Sequence, residues 1–231
     1  MKIIGLIGGM SWESTVTYYE VINTLIKERL GGFHSAKIMM YSVDFHELES
    51  NMETGNWDGN AEILANAAIN LEKAGADFIL ICTNTMHKLV PQIKQKVHVP
   101  IIHIAEATAA VLKAQGIHKA ILLGTRFTME QEFIKDIIQQ NGVEILIPND
   151  DERFKINDII FNELCLGNVL PASKAYYLSV IDRLVKEGGE AAILGCTEIG
   201  LLINQQDTST PLLDTTIIHA TAAVDAALSS K

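Results

Sequence analysis

The sequence predicts an α/β protein of two similar, pseudo-symmetric Rossmann-like lobes with parallel sheets. Three observations lead to this fold class. Short, almost continuously apolar runs alternate with amphipathic stretches, as expected for parallel strands buried on both faces. Glycines follow several helical stretches, where a left-handed backbone favours glycine. Finally, two parts of the chain resemble each other at a constant offset, which indicates a duplicated unit.

The strands and helices are expected to alternate along the whole chain. The apolar runs predict strands at 2–7, 37–43, 77–82, 101–103, 120–123, 144–147, 190–194 and 211–213. The amphipathic stretches predict helices at 14–30, 60–74, 105–114, 129–140, 155–166, 174–187 and 216–228. This order is typical of parallel sheets covered by helices.

The internal repeat defines the expected domains. Residues 73–83, KAGADFILICT, align with 186–196, KEGGEAAILGC, at an offset of 113, and residues 4–9, IGLIGG, align with 120–125, AILLGT, at an offset of 116. Coincidence is the alternative, because K-x-G before a strand is common. We predict a first lobe of residues 1–105 plus 210–231 and a second lobe of residues 106–209, with the active site in the cleft where the lobes meet.

Composition excludes several functional classes. The 231 residues carry a net charge of −10, so no basic surface for nucleic acid is expected. No apolar run reaches the roughly 18 residues that span a bilayer, and the apolar N-terminus is too short for a signal peptide, so we expect a cytoplasmic protein. Three cysteines argue against a disulfide framework. Neither a dinucleotide fingerprint nor a zinc-finger spacing occurs, so no cofactor or metal is expected.

Polar residues follow four of the predicted strands, at the carboxyl ends where ligands of parallel sheets bind. Helix N-termini there suit a carboxylate. The candidates for substrate binding are Met10, Ser11, Asn84, Thr85, Thr125, Thr128, Thr197 and Glu198.

The repeat pairs Cys196 with Thr83 and not with Cys82. Because side chains alternate along a strand, Cys82 and Thr83 are expected on opposite faces, with Cys82 in the packing. A thiolate near helix N-termini can act as a base, which makes removal of an α-proton a plausible reaction. The alternative is that these are core or turn residues.

The chain resembles the cofactor-independent aspartate/glutamate racemase family, and within it the bacterial racemases specific for L-aspartate and glutamate or of broad specificity. The resemblance rests on GLIGGMSWEST, CTNTMHK, LLGTRFTMEQ, DERFKIN and GCTEIGLL. It implies an amino-acid substrate, no pyridoxal phosphate, a homodimer, and two cysteines that remove and return the α-proton. Thr83 stands where the first of these cysteines usually stands, and Cys196 matches the second, so slow or direction-biased catalysis by Thr83 and Cys196 is expected.

The resemblance also implies a cationic pair for the substrate side chain, which this chain lacks. No arginine occurs at 43–46, VDFH, and Cys165 stands near the expected lysine. Met10, Met52 and Cys165 would make this subsite adaptable. Core packing is the alternative for Met52. Two further readings stay open: a single-cysteine relative such as a decarboxylase or maleate isomerase, and an amino-acid-binding protein with little turnover.

Overall fold

A computed structural model describes residues 1–229, and its backbone forms two compact units. Unit 1 contains Met1–His103 and the segment from His219 onwards, and unit 2 contains Ile104–Ile218. The chain therefore returns to unit 1 at 219 and not at 210. Residues 212–214 form a strand of the unit 2 sheet, which is why the segment before 219 lies with unit 2.

The strands and longer helices follow one another in the predicted order. They are β1 (Ile4–Gly8), α1 (Trp12–Leu30), β2 (Ile38–Ser42), α2 (Phe45–Thr54), α3 (Trp57–Lys73), β3 (Phe78–Ile81), α4 (Val90–Lys94), α5 (Ile104–Ala114), β4 (Lys119–Gly124), α6 (Arg126–Glu130), α7 (Glu132–Gln140), β5 (Glu144–Leu146), α8 (Asp150–Asn162), α9 (Pro171–Lys186), β6 (Ala191–Gly195), α10 (Ile199–Leu202), β7 (Leu212–Asp214) and α11 (Thr215–Leu228). Short 3-10 helices cover Thr85–Leu89, Leu164–Leu166 and Gln205–Asp207.

Unit 1 is a parallel sheet of order β2-β1-β3 with an apolar layer on each face. One layer contains Ile7, Ile79 and Ile81 with residues of α3 and α4, and the other contains Leu6 and Leu80 with residues of α1 and α11. The alternation of β3 side chains between the two layers explains why the strand is apolar at every position.

Unit 2 is a parallel sheet of order β5-β4-β6-β7, built in the same way. Residues of α8, α9 and α10 pack on one face, and residues of α5 and α7 pack on the other. The predicted α/β architecture with parallel sheets is therefore confirmed.

The sequence repeat is also a repeat of strand pairing. Ile4 pairs with Phe78 in unit 1, and Ala120 pairs with Ala191 in unit 2. These partners are related by the offsets of 116 and 113 found in the sequence. The isolated bridge between Ile79 and Ile101 corresponds to the pairing of Ala192 with Leu212. Positions related by the repeat therefore occupy the same place in their respective sheets.

Local sequence explains the differences from the predicted elements. Helix α2 was not predicted, because Leu48 is its only fully buried residue; Asp44 caps it by accepting a hydrogen bond from the His46 N–H. Helix α8 begins earlier than predicted because Asn149 and Glu152 form a reciprocal capping box. The predicted helix at 129–140 is divided at Gln131, whose backbone is extended. Within residues 1–229, no helix is both long enough and apolar enough to cross a bilayer.

Candidate active site

Cys82 and Thr83 directly follow β3, and their side chains lie in different surroundings. Cys82 is fully buried in the apolar layer that contains Tyr18 and Leu80, and burial raises the pKa of its thiol. This agrees with the predicted packing role. Thr83 follows with a partly exposed side chain, and its N–H donates to the Ile81 carbonyl at 2.9 Å. That bond closes a tight turn at the end of the strand.

The 3-10 helix after this turn carries His87 back toward Thr83. The Nδ1 atom of His87 lies 2.7 Å from the Thr83 carbonyl oxygen, and the His87 N–H donates to the Asn84 carbonyl at 3.0 Å. Asn84 and Thr85 are buried in this segment. The carboxyl end of β3 is therefore held by a compact hydrogen-bonded structure.

His87 belongs to a cluster of three buried histidines in unit 1, formed with His103 and His219. The ring centre of His87 lies 4.6 Å from that of His103 and 5.4 Å from that of His219. His219 in turn contacts the Tyr18 hydroxyl through Nδ1 at 2.9 Å and the Ile102 carbonyl through Nε2 at 2.9 Å. The motifs of the sequence did not single out His219, which is far from His87 and His103 along the chain.

Burial keeps the histidine cluster uncharged. It lowers the pKa of His103 and of His219 to about 4, and it lowers the pKa of His87 well below the ordinary value. Mutual repulsion of the three rings lowers the His87 pKa further, while carbonyl contacts oppose the shift. Among residues 1–229, no three or more His, Cys, Asp or Glu side chains are arranged so that they could hold a metal ion.

These pKa shifts predict that the protein loses stability in mild acid. Depressed histidine pKa values mean that the unfolded chain binds more protons, so stability is present above about pH 6.5 and falls as pH drops toward 4. His103 and His219 should each contribute roughly 1–2 kcal/mol of lost stability between pH 7 and pH 5. Urea unfolding at the two pH values measures it, and replacement of His103 by glutamine should flatten the dependence. An unchanged urea midpoint would contradict the neutral cluster.

The loop after β1 is built around Ser11. The Ser11 carbonyl accepts hydrogen bonds from the hydroxyls of Ser14, at 3.1 Å, and Thr15, at 2.9 Å, and the Gly9 N–H donates to the Thr15 hydroxyl at 2.9 Å. Gly9 has φ +94°, and a β-carbon there would lie 2.3 Å from the Val43 carbonyl, so only glycine fits. This loop is therefore closely held against the segment that follows β2.

Two of the predicted substrate-contacting methionines lie in the core. Met10 is almost completely buried in the apolar layer beneath α3, and the partly buried Met52 packs against the same layer. The core alternative named for Met52 therefore describes both side chains, although Met52 keeps some exposure.

The end of β6 carries a buried thiol beside a carboxylate. The Cys196 thiol donates to Glu198 Oε2 at 2.9 Å, and the Thr197 hydroxyl donates to the same oxygen at 2.9 Å. Cys196 is 8% exposed and Glu198 is 3% exposed. Burial raises the pKa of Cys196 well above its ordinary value, and the Glu198 charge and Cys165 raise it further. The resting form of Cys196 is therefore a neutral thiol that is hydrogen-bonded to Glu198.

Tyr177 on α9 completes the surroundings of this thiol. It is fully buried in the apolar layer that contains Cys196, with Cys165 packed against that layer. Burial raises the Tyr177 pKa well above its usual range, and Cys196 and Glu163 raise it further. Its hydroxyl donates to the Ile156 carbonyl at 3.3 Å. Nothing in the sequence around Tyr177 distinguishes it from an ordinary core aromatic of an amphipathic helix.

Thr125 and Thr128 shape the turn after β4. Thr125 caps α6, because its hydroxyl accepts the Thr128 N–H at 3.3 Å and lies 3.2 Å from the Thr128 hydroxyl. A β-carbon on Gly124 would lie 2.7 Å from the Gly195 carbonyl and 3.1 Å from the Thr128 β-carbon. Thr128 is fully buried where Gly124 lies close to Gly195, so its side chain packs within the turn. Thr125 instead lies at the N-terminus of α6.

Arg126 and Arg153, two cationic side chains of unit 2, are bound to carboxylates. Arg126 pairs with Glu130 at 2.8 Å, and Arg153 pairs with Glu130 at 3.1 Å and also with Asp150. The segment 43–46 is occupied by the cap of α2 and contributes no positive side chain. Neither arginine is therefore a free cation that could replace the implied pair.

Comparison with known proteins agrees with the fold and with these motifs. The family model of Asp/Glu/hydantoin racemases matches residues 7–223. The chain is 53% identical to a crystallised candidate Asp/Glu racemase from Yersinia pestis, with a TM-score of 0.92 over 99% of this chain and 100% of that one. It is 36% identical to an aspartate racemase homologue from Pyrococcus horikoshii OT3, with a TM-score of 0.86 over 99% and 100% of the two chains.

A curated relative points in the same direction. The broad specificity amino-acid racemase RacX of Bacillus subtilis (strain 168) is 23% identical in an alignment of 235 positions that covers 96% of each chain. Since the family match spans nearly the whole of both units, the chain belongs to the Asp/Glu/hydantoin racemase family of isomerases.

Proposed function

We propose that this protein is a cofactor-independent racemase of aspartate, glutamate or related amino acids, in which Cys196 and Thr83 exchange the α-proton. One observation carries the proposal: a thiol paired with a carboxylate follows β6, and a hydroxyl occupies the equivalent position after β3. Equivalent positions in a duplicated fold supply one group each, and the two groups act on opposite faces of one α-carbon. Asn84, Thr85, Ser11, Thr125 and Thr197 supply the polar contacts to the substrate.

Glu198 makes the thiol competent as a base. A thiolate beside an ionised carboxylate would place two negative charges in a buried site, which is costly. If the Cys196 proton moves along the 2.9 Å contact to Glu198, the cluster keeps a single negative charge. The thiolate then takes the α-proton. Helix N-terminal N–H groups stabilise the negative charge that develops on the substrate.

Thr83 returns a proton from the other face. Its hydroxyl donates to the α-carbanion, and the alkoxide that remains takes a proton from water. The hydroxide formed is neutralised by the proton held on Glu198, which restores the starting state of both residues. A threonine hydroxyl is a much weaker acid than a thiol, so this step is expected to be the slower one. A well-tuned acid or base contributes about 10²- to 10⁴-fold, and Thr83 supplies only part of that factor.

The directional bias expected from Thr83 and Cys196 cannot appear in kcat/KM. The two enantiomers have equal free energy in solution, so kcat/KM must be the same in both directions. The asymmetry of Cys196 and Thr83 therefore shows in kcat and KM separately, and in how often deuterium from solvent enters the recovered substrate before product forms.

The test is α-hydrogen exchange in D₂O with each amino acid as a separate enantiomer. The proposal expects deuterium at the α-carbon and formation of the opposite enantiomer without added pyridoxal phosphate. Since residues 43–46 hold neither Arg nor Lys and Cys165 stands near the expected lysine, neutral amino acids should react at rates comparable to the dicarboxylic ones. Absence of exchange with every amino acid would end the proposal.

A second candidate is favoured by the single thiol. A decarboxylase or maleate isomerase of the same superfamily needs protonation from one side only, and only one of the two equivalent positions carries sulfur here. Release of CO₂ from malonates without amino-acid exchange would support it. If amino acids raise the melting temperature and no exchange occurs, a binding protein is the better description.

A homodimer is the assembly that we propose. Strand β2 lies at the edge of its sheet and exposes Met39, Met40 and Tyr41, while α1 exposes Trp12 (65%) and Tyr19 (51%). Apolar side chains concentrated on an edge strand and one helix of unit 1 are typical of a protein interface.

The dimer prediction concerns Met40. Replacement of Met40 by aspartate is expected to halve the mass measured by sedimentation, because a charge would be buried against the partner. Replacement of the exposed Val185 on α9 by aspartate is the control and should leave the mass unchanged. A wild-type protein that sediments as a monomer would contradict the proposed assembly.

A further inference from the structure

The contact between the His87 ring and Thr83 has a defined direction. A carbonyl oxygen can only accept, so the 2.7 Å contact between Nδ1 and the Thr83 oxygen is a hydrogen bond in the Nδ1–H tautomer of His87, in which Nδ1 donates. The ring also contacts the Ile102 carbonyl. His87 lies four residues beyond Thr83, and the intervening chain begins the 3-10 helix. The ring therefore closes the turn that presents the Thr83 side chain.

The ring of His87 is itself held in place by its neighbours. It packs against His103 on one side and against His219 on another. His219 has one possible neutral arrangement, because Nε2–H must donate to the Ile102 carbonyl and Nδ1 then accepts from the Tyr18 hydroxyl. Tyr18 on α1 and His219 on α11 thus fix the ring against which His87 packs.

We propose that His87 is a positioning residue for the racemase reaction. Its Nδ1–H fixes the backbone of Thr83, and the rings of His103 and His219 keep the His87 ring in place. This inference rests on the proposed function, because it gives His87 a role only if Thr83 returns the proton.

A hydroxyl donor makes this positioning necessary. Thr83 donates only when its O–H is aligned with the α-carbon, and a displacement of about 1 Å can cost roughly 10²-fold in rate. The Cys196 step does not depend on the Thr83 backbone. Loss of the His87 contact should therefore slow the return of the proton and leave its removal nearly unchanged.

The experiment compares His87→Asn with His87→Leu. Asparagine places an amide N–H as many bonds from the α-carbon as Nδ1, while leucine has similar size and no donor. Each variant is incubated in D₂O with the enantiomer that Cys196 deprotonates. The quantity measured is the ratio of product enantiomer formed to deuterium incorporated into recovered substrate.

We expect His87→Leu to lower this ratio by about 10- to 100-fold and His87→Asn to keep it within about threefold of wild type. A purely structural role would lower the amount of active protein and leave the ratio constant. His87→Gln, whose amide lies one bond further along the side chain, is the second comparison if the leucine variant does not fold, and it should resemble leucine.

Two results separate the possible failures. An unchanged ratio in His87→Leu, or in His87→Gln if that is the folded variant, overturns the positioning role while exchange by the wild type still supports the racemase. Absence of any α-hydrogen exchange by the wild type overturns the proposed function itself.

Discussion

Replacing Cys196 by alanine is expected to lower both racemisation and α-hydrogen exchange by about 10²- to 10⁴-fold. The proposal assigns α-proton removal to this thiol, which donates to the buried carboxylate of Glu198 together with the Thr197 hydroxyl. The measurement is deuterium incorporation by NMR with the best substrate of the enantiomer screen. The Cys196→Ser variant should also be strongly impaired, because a hydroxyl is a poor base at neutral pH.

Cys82→Ala is the matched control for this loss. Cys82 is fully buried in the apolar layer of unit 1, so its removal should cost about 1–2 kcal/mol of unfolding free energy. Exchange per folded molecule should stay near the wild-type value. Equal loss of exchange in both cysteine variants would contradict the assignment of the base to Cys196.

Thr83→Val is expected to have the second largest effect. Valine keeps the shape of threonine and removes the hydroxyl, so formation of the opposite enantiomer should fall by about 10²-fold or more. Deuterium should still enter the recovered substrate when the starting enantiomer is the one that Cys196 deprotonates. Chiral chromatography and mass spectrometry of the same sample measure the two quantities separately.

Thr83→Ser is the control for this second prediction. Serine keeps a hydroxyl at the same distance from the backbone and should retain most of the product formation. If Thr83→Val racemises as well as the wild type, another donor returns the proton, and the equivalence of Thr83 with Cys196 has no catalytic meaning.

The parts of the fold that could be predicted depend on local patterns. Buried parallel strands are apolar at every position, so β3 and β6 were evident, and the constant offset revealed the repeat that their pairing confirms. The alternation of side chains along β3 was enough to separate Cys82 from Thr83. Capping residues explain the error at the start of α8. The helix begins at Asp150, five residues before the predicted start, because Asn149 caps it.

The parts that could not be predicted depend on contacts between distant residues. His87, His103 and His219 come together only when α11 packs on the sheet of unit 1. The spacing of these histidines in the sequence does not predict the cluster. Glu198 was expected to contact substrate, and the sequence did not reveal that it also accepts a hydrogen bond from Cys196. Met10 was expected at a subsite and lies in the core, because a buried methionine and a ligand-contacting one look alike in sequence.

The split of unit 1 between the two ends of the chain has a consequence for biosynthesis. Ala220 and Val224 of α11 complete the layer around Ile4 and Tyr18, and the Lys2 N–H donates to the Ala227 carbonyl at 2.9 Å. On the ribosome, these late residues emerge only after all of unit 2 has been translated. Unit 2 is continuous in sequence, whereas the nascent unit 1 keeps one apolar face uncovered until α11 has been made.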